Sequence, residues 1–458
     1  MPRREFVRRT RVEAPTEEVF AWHKRPGALE RLLPPWSGAR VVRRTGGIES
    51  GARVEVELPV GPRKIRWVVE HRDYVENRQF RDVQVSGPFA EWIHTHRFEP
   101  DGPSACWIED RVEYSLPLGG LGDFFGERYV RHALERTFAY RHRVLACDLE
   151  THRTYGLEPR HVAVSGSSGL VGAAASAFLA TGGHRLTRLV RGVRSGTGVA
   201  FWDPETGAVD TEALAGVDTV LHLAGEPIVG RWTASKKDRI LRSRVQGTRA
   251  LSEALATMPR KPDVLVSASA IGFYGDRADE WLTEESPPGS GFLAEVCRQW
   301  EAATEKAEAA GIRVVHLRIG VVLSAAGGAL AAMLPAFRWG AGGVLGTGLQ
   351  FLSWISLDDL LGVVLHAVAR RDLVGPVNAV APEPVTNREF TRVLGRVLGR
   401  PTLLPLPTFA ARLAFGEAAD ELLLASARVR PARLLETGFS YRDPDLETAL
   451  RSTLGRLT

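Results

Sequence analysis

The stretch HVAVSGSSGLVG, His161 to Gly172, constrains this chain more than any other. An apolar run, Val162–Val164, meets three glycines three residues apart, Gly166, Gly169 and Gly172. Small residues, Ala173–Ala180, follow at once. That order specifies a strand, a tight turn and a helix. In such a turn the first glycine permits the reversal and the second lets backbone approach a pyrophosphate. The third lets helix and strand pack closely. The amides that open the helix then face the anion. The spacing is GxxGxxG, not GxGxxG, but the physics is shared. Ser165, Gly166, Ser167, Ser168, Gly169, Leu170, Val171 and Gly172 are therefore expected to hold a dinucleotide.

The next apolar run, Arg185–Arg191, ends about 20 residues past the last glycine, where NAD enzymes place an acid for the ribose 2′-hydroxyl. This chain has Arg191 there, with Arg194 nearby. A guanidinium suits a 2′-phosphate, so NADP is expected in preference to NAD. Further apolar runs, DTVLHLAG, DVLVSAS and IRVVHLRIG, alternate with helix-length segments. Strands separated by helices indicate βαβ units and a parallel, doubly wound Rossmann-like sheet.

The first 150 residues read differently. Val54, Val56 and Leu58 alternate with Arg53, Glu55 and Glu57, and Trp92, His94, His96 and Phe98 alternate likewise. Period two argues half-buried antiparallel strands. Thr16 with Glu17 and Glu18 marks an early helix start. Val130, Leu134, Phe138, Leu145 and Leu149 lie on one face of a long helix before residue 153. This α+β order resembles the START-like, polyketide-cyclase-like helix-grip superfamily. The likeness implies a cavity between sheet and helix that takes an apolar ligand. Residues 1–153 are read as this domain and 154–160 as a linker.

Composition excludes several classes. The net charge is +5 without a basic block, and only six of the basic residues are lysine. No nucleic-acid partner is expected, and Trp36, Trp67, Trp92 and Trp107 read as sheet core. The cysteines Cys106, Cys147 and Cys297 stand far apart, so neither a disulfide framework nor a thiolate metal site is expected. His94 and His96 share a strand face that could suit a metal, but spacing supplies no third ligand, and no metal is expected. Ile319–Phe337 and Trp339–Leu357 lack charges. Their glycines, alanines and Pro335 read as strand, loop and helix of a soluble fold, with no membrane span. The first ten residues, MPRREFVRRT, have no apolar stretch of a secretory leader. The expected compartment is the cytoplasm.

Several further stretches occur together: HLAGEPI (222–228), SRVQGT (243–248), SASAIGFYGD (267–276), LRIGVVLSAAGGAL (317–330), WISLDD (354–359) and GPVNAVAPEPVTN (375–387). With SGSSGLVG they resemble the extended short-chain dehydrogenase/reductases, in particular their atypical, sugar-nucleotide-epimerase-like branch. The likeness runs from about residue 160 to 455. It implies an NAD(P)-binding domain over 161–403 and a small helical lobe over 404–458. It also implies that Leu223, Ala224 and Gly225 line the nicotinamide-ribose side and that Glu226 begins a family loop. Ser267 and Ser269 end the strand where extended members keep a catalytic Ser or Thr. Arg318 and Gly320 fall near the nicotinamide. His222 lies inside a strand and is read as core.

The chain departs from the superfamily in its catalytic residues. Its reductases use a Tyr as general acid/base, with a Lys four residues later that lowers the Tyr pKa. None of the seven tyrosines has Lys at the fourth position after it. Where the pair is expected, the sequence has Phe292 and Val296. Arg244 stands where relatives have Asn. Three readings stay open. The chain could be an NADP-dependent oxidoreductase or epimerase-like enzyme with another acid, for which Ser269 and Tyr274 are the catalytic candidates and Glu226 and Glu295 the reserves. It could be a sensor or scaffold that binds NADP(H) and a lipid-like ligand without turnover. Or the nicotinamide could act directly on a small-molecule carbonyl or apolar substrate that the first domain brings.

Overall fold

A computed structural model describes residues 3–61, 63–117, 120–192 and 196–456. Arg194 lies outside the described residues. The chain packs as two units. Met1–Leu157, Ala177–Gly183 and Leu454–Thr458 make one, and Glu158–Ser176 with His184–Thr453 the other.

In the first unit the alternating segments become strands. They are β1 (Arg4–Val12), β2 (Arg40–Thr45), β3 (Arg53–Val60), β4 (Arg63–Val75), β5 (Gln79–Ser86), β6 (Glu91–Pro100) and β7 (Cys106–Ser115). They form one antiparallel sheet in the order β1-β7-β6-β5-β4-β3-β2. Helices α1 (Thr16–Lys24) and α2 (Ala28–Leu32) follow β1, and α3 (Gly120–Tyr155) closes the unit. Leu134, Phe138, Leu145 and Leu149 of α3 are buried, as their spacing predicts. Leu145 and Leu149 pack with Phe20, Trp22, Phe98 and Ile108. Phe138 packs with Trp92, Val112 and Tyr114. An antiparallel sheet packed on a long helix is the helix-grip architecture expected from the sequence.

The second unit is built on parallel strands. Its elements include β8 (His161–Ser165), the first part of α4 (Leu170–Thr181), β9 (Arg185–Val190), β10 (Val199–Phe201), β11 (Thr219–His222), α5 (Ala234–Thr257), β12 (Val264–Ala270), β13 (Trp281–Leu282), α6 (Phe292–Ala302), α7 (Glu305–Ala309), β14 (Arg313–Ile319), β15 (Val321–Leu323), α8 (Gly328–Arg338), β16 (Phe351–Leu352), β17 (Trp354–Ser356), α9 (Leu357–Ala369), β18 (Gly375–Ala379), β19 (Val385–Thr386), α10 (Asn387–Leu398) and β20 (Arg428–Val429). The main sheet has the order β10-β9-β8-β11-β12-β14-β18, with every neighbouring pair parallel. Its central strands β8, β11 and β12 are rich in Val, Ala and Leu and buried almost along their whole length, as a sheet covered on both faces requires. The strand order reverses between β8 and β11, and ligands of such sheets bind outside the carboxyl ends of the strands at that point. Ser356 caps α9 by accepting from the Asp359 amide. Among the described residues, no helix is long and apolar enough to cross a membrane.

Candidate functional site

The glycine turn sits at the switch point. Gly166 has φ +68°, and a Cβ there would stand 2.8 Å from the carbonyl carbon of Leu223. A Cβ at Gly172 would stand 2.2 Å from the Gly166 carbonyl oxygen. Only glycine fits either place. The Gly169 amide donates to the Gly166 carbonyl at 3.0 Å, which closes the turn. Ser168 and Gly169 are exposed, and Ser167, Leu170 and Val171 are half-buried. The turn therefore presents backbone to solvent where α4 begins, and the amides of a helix's first turn have no partner within the helix. Arg191 is exposed just past the carboxyl end of β9. Leu223 and Ala224 are half-buried and Gly225 exposed beyond the end of β11.

Ser165 itself points inward. Its hydroxyl accepts from the amides of Leu223 and Ala224 at 3.1 and 3.3 Å and lies 2.7 Å from His222 Nδ1. With two donors already on the oxygen, the hydroxyl proton goes to Nδ1. His222 Nε2 then carries the ring proton and donates to Thr248 at 2.9 Å. The Thr248 hydroxyl also accepts from Trp300 Nε1 at 2.9 Å. His222 is thus more than apolar core: it ties the glycine turn to β11, α5 and α6. Burial pushes its pKa down to about 4, so the ring is neutral in the fold and would ionise on unfolding. A group with a depressed folded pKa contributes stability above its unfolded value, near 6.5, and loses it as pH falls toward 4. Between pH 7 and pH 4 the chain is expected to lose about 3 kcal/mol through His222. Urea unfolding across that range should show a shallower pH dependence in His222→Gln than in the wild type.

The expected catalytic side chains are also turned inward. Ser269 is 2% exposed and donates to Glu301 Oε1 at 2.7 Å. Arg318, 4% exposed, donates through Nε and Nη2 to both oxygens of Glu301 at 2.9 Å. Its Nη1 donates to the Tyr274 hydroxyl at 3.0 Å, and that hydroxyl donates to Asn378 Oδ1 at 2.7 Å. Tyr274 has no exposed surface, and burial raises its pKa. The hydroxyls of Ser269 and Tyr274, the two catalytic candidates, are thus both engaged in a buried network. Arg318, expected at the nicotinamide, is the centre of that network. Ser267 is likewise buried, with its hydroxyl 3.4 Å from the Ala268 carbonyl. Gly320 is half-buried where a Cβ would meet the Ser353 carbonyl oxygen at 2.6 Å.

The reserve acids are ion-paired. Glu226 is held below the usual carboxylate range by its hydrogen bond from Lys236, 2.8 Å away, with Arg239 adding to it. Glu295 is pulled to about 2 by Arg298 and Gln299. Both are carboxylates at neutral pH. Burial pushes the Cys297 thiol up to about 12, which removes it as a nucleophile. Arg244 donates to the carbonyls of Glu226 and Ile240 at 3.0 and 3.3 Å and covers the Trp300 ring. Phe292 packs edge-on against Trp232, with the Lys237 ammonium 4.6 Å from its ring centroid. The first amides of α6, Phe292 and Leu293, donate to the carboxylate of Glu421 at 2.8 and 2.7 Å. No local sequence signal links Glu421 to a helix more than a hundred residues earlier.

A parallel sheet with a glycine turn at its switch point defines a Rossmann-type, NAD(P)-binding protein. Residues 162–380 match the model of the NAD dependent epimerase/dehydratase family. Residues 12–138 match the family described as polyketide cyclase / dehydrase and lipid transport, and 406–453 a domain of unknown function. An epimerase family protein of Mycobacterium bovis is 44% identical over 290 residues, 63% of this chain and 96% of that protein. The human epimerase family protein SDR39U1 is 35% identical over 294 residues, 63% of this chain and 98% of that one. The chain belongs to this epimerase family, with a polyketide-cyclase-like domain at its N-terminus. A crystal structure of human SDR39U1 with NADPH is similar with TM-score 0.59 and 34% identity, covering 65% of this chain and 100% of that one. A nucleoside-diphosphate sugar epimerase from Corynebacterium glutamicum is similar over both domains. Its TM-score is 0.80 at 35% identity, covering 98% of this chain and 90% of that one.

Proposed function

We propose that this protein is an NADP(H)-dependent oxidoreductase or epimerase-like enzyme that works without a tyrosine–lysine pair on a carbonyl or apolar substrate. The observation that carries this reading is the glycine cradle at the switch point, with Arg191 exposed past β9 where an NAD enzyme needs an acid. The fit is physical: the space that Cβ atoms would fill at Gly166 and Gly172 is taken by close backbone, which leaves helix-start amides for a pyrophosphate. Gly166–Gly172 hold the pyrophosphate, Arg191 pairs with the 2′-phosphate, and Leu223–Gly225 flank the nicotinamide ribose. Bound there, the cofactor supplies hydride exchange with a carbonyl carbon. The Ser269–Glu301–Arg318–Tyr274 network keeps the ends of β12 and β14 rigid, and positioning is its contribution. The human relative crystallised with NADPH supports the cofactor choice.

A second reading is a non-catalytic NADP(H)-binding sensor or scaffold. It is favoured by one observation, that every candidate acid is buried or ion-paired. The N-terminal domain is proposed, on either reading, to bind an apolar small molecule. The discriminating experiment is a metabolite screen with the full chain and NADPH deuterated at C4. Deuterium appearing in a product establishes turnover. Tight NADPH binding with no label transfer across the screen favours the sensor.

A further inference from the structure

The N-terminal domain contains a buried cluster that neither the cofactor site nor the apolar core explains. His94 and His96 lie on β6 two residues apart, and the antiparallel register sets Asp82 of β5 opposite His94. It sets Asp110 of β7 opposite His96. Each imidazole spans the gap between the two carboxylates. His94 Nδ1 and His96 Nε2 lie 3.5 and 3.3 Å from Asp82 Oδ2. Their other nitrogens, His94 Nε2 and His96 Nδ1, lie 2.9 and 2.7 Å from Asp110 Oδ1. The side chains of His94 and His96 are 2% and 7% exposed.

Four ring nitrogens face carboxylate oxygens, so four N–H groups are needed, and both buried rings would have to be imidazolium. With neutral rings, two nitrogen lone pairs point at anionic oxygens. His96 Nδ1 and Asp82 Oδ1 are in fact buried without a well-aligned hydrogen-bond partner. The two sides of the cluster also differ in distance. Contacts to Asp110 are hydrogen-bond length, whereas those to Asp82 are longer. Ligand atoms on a tetrahedral zinc with bonds of about 2.0–2.1 Å are separated by roughly 3.3–3.4 Å; the two imidazoles stand 3.5 and 3.3 Å from Asp82 Oδ2, and the ligand atoms of all three residues lie within 4.8 Å of one another. A metal-bound imidazole usually gives its other nitrogen's proton to a carboxylate, which is the Asp110 side. His142 Nε2 donates to Asp110 Oδ2 at 2.5 Å, so Asp110 is braced in turn, and His71 Nδ1 stands 2.6 Å from Asp82 Oδ1.

We propose that Asp82, His94 and His96 form a divalent-metal site of the zinc class inside the N-terminal domain. Asp110 orients both imidazoles from behind. Three protein ligands leave a fourth position for water or for an oxygen of a ligand in the domain. The Asp82 side chain is 20% exposed, which leaves a route for exchange. The expectation of no metal arises because a residue twelve positions before His94 shows no ligand spacing; only strand pairing brings it there.

The test is equilibrium dialysis of the full chain against excess zinc, followed by elemental analysis. One zinc per chain is expected. A His94→Gln/His96→Gln variant should lose it, and Asp110→Asn should weaken binding by about 10- to 100-fold. Because a variant that fails to fold would lose metal for another reason, cobalt(II) is loaded on the wild-type chain as an independent readout. Intense visible absorption of a four-coordinate ion, shifted by added octanoate, supports the site and its free position. Substoichiometric zinc, full retention in the double variant, or cobalt with the weak spectrum of the hydrated ion overturns the proposal.

Discussion

Replacing Arg318 with Met is expected to destabilise the second unit by about 3 kcal/mol, because it leaves a carboxylate that is only 12% exposed without its cation. Glu301 would lose both hydrogen bonds from the guanidinium, and the Tyr274 hydroxyl would lose one donor. Burial works against the Arg318 charge, and Glu301 and Tyr274 outweigh that and raise its pKa. Urea unfolding followed by far-UV circular dichroism measures the loss. Adding Glu301→Gln to the variant should recover part of it, since the orphaned charge is then removed. A loss below about 1 kcal/mol, the range of exposed pairs, would show that this network does not support the ends of β12 and β14.

Two glycine substitutions should separate folding from cofactor binding. Gly169→Ala adds a methyl 3.3 Å from the Gly166 carbonyl oxygen, on an exposed turn. The fold should tolerate it, while the methyl stands where a pyrophosphate approaches. NADPH affinity is expected to fall on the order of 100-fold, about 2.7 kcal/mol, with little change in unfolding midpoint. Gly172→Ala forces its methyl to 2.2 Å from the same oxygen, so the turn itself must move. It should lose both affinity and stability. Calorimetric titration beside thermal unfolding distinguishes the two. Equal behaviour of both variants would contradict the roles given to the two glycines.

What was legible in the sequence was local. The glycine spacing after Val162–Val164 specified the turn, and three-residue steps do not need a partner to be read. Period two in β3 and β6 and the one-sided face of α3 gave the helix-grip unit for the same reason. What was not legible depends on pairing between distant segments. Ser269 and Tyr274 look available in SASAIGFYGD, but their hydroxyls are consumed by Glu301, Arg318 and Asn378 from three other elements. Glu421 reaches α6 across more than a hundred residues. His94 and His96 show their shared face at once, yet Asp82 and Asp110 join them only through the sheet register. In each case the residue type was visible and the direction of its side chain was not.

Calorimetric titration of the wild-type chain and Arg191→Asp with NADPH and with NADH would decide the cofactor reading most directly. Arg191 follows β9 and is exposed, so its replacement should leave the fold intact. The wild type is expected to bind NADPH more tightly than NADH by about tenfold or more, the scale of one charge-assisted contact. Arg191→Asp should abolish that preference by weakening NADPH and sparing NADH. Binding of neither dinucleotide, or tighter binding of NADH by the wild type, would contradict the assignment.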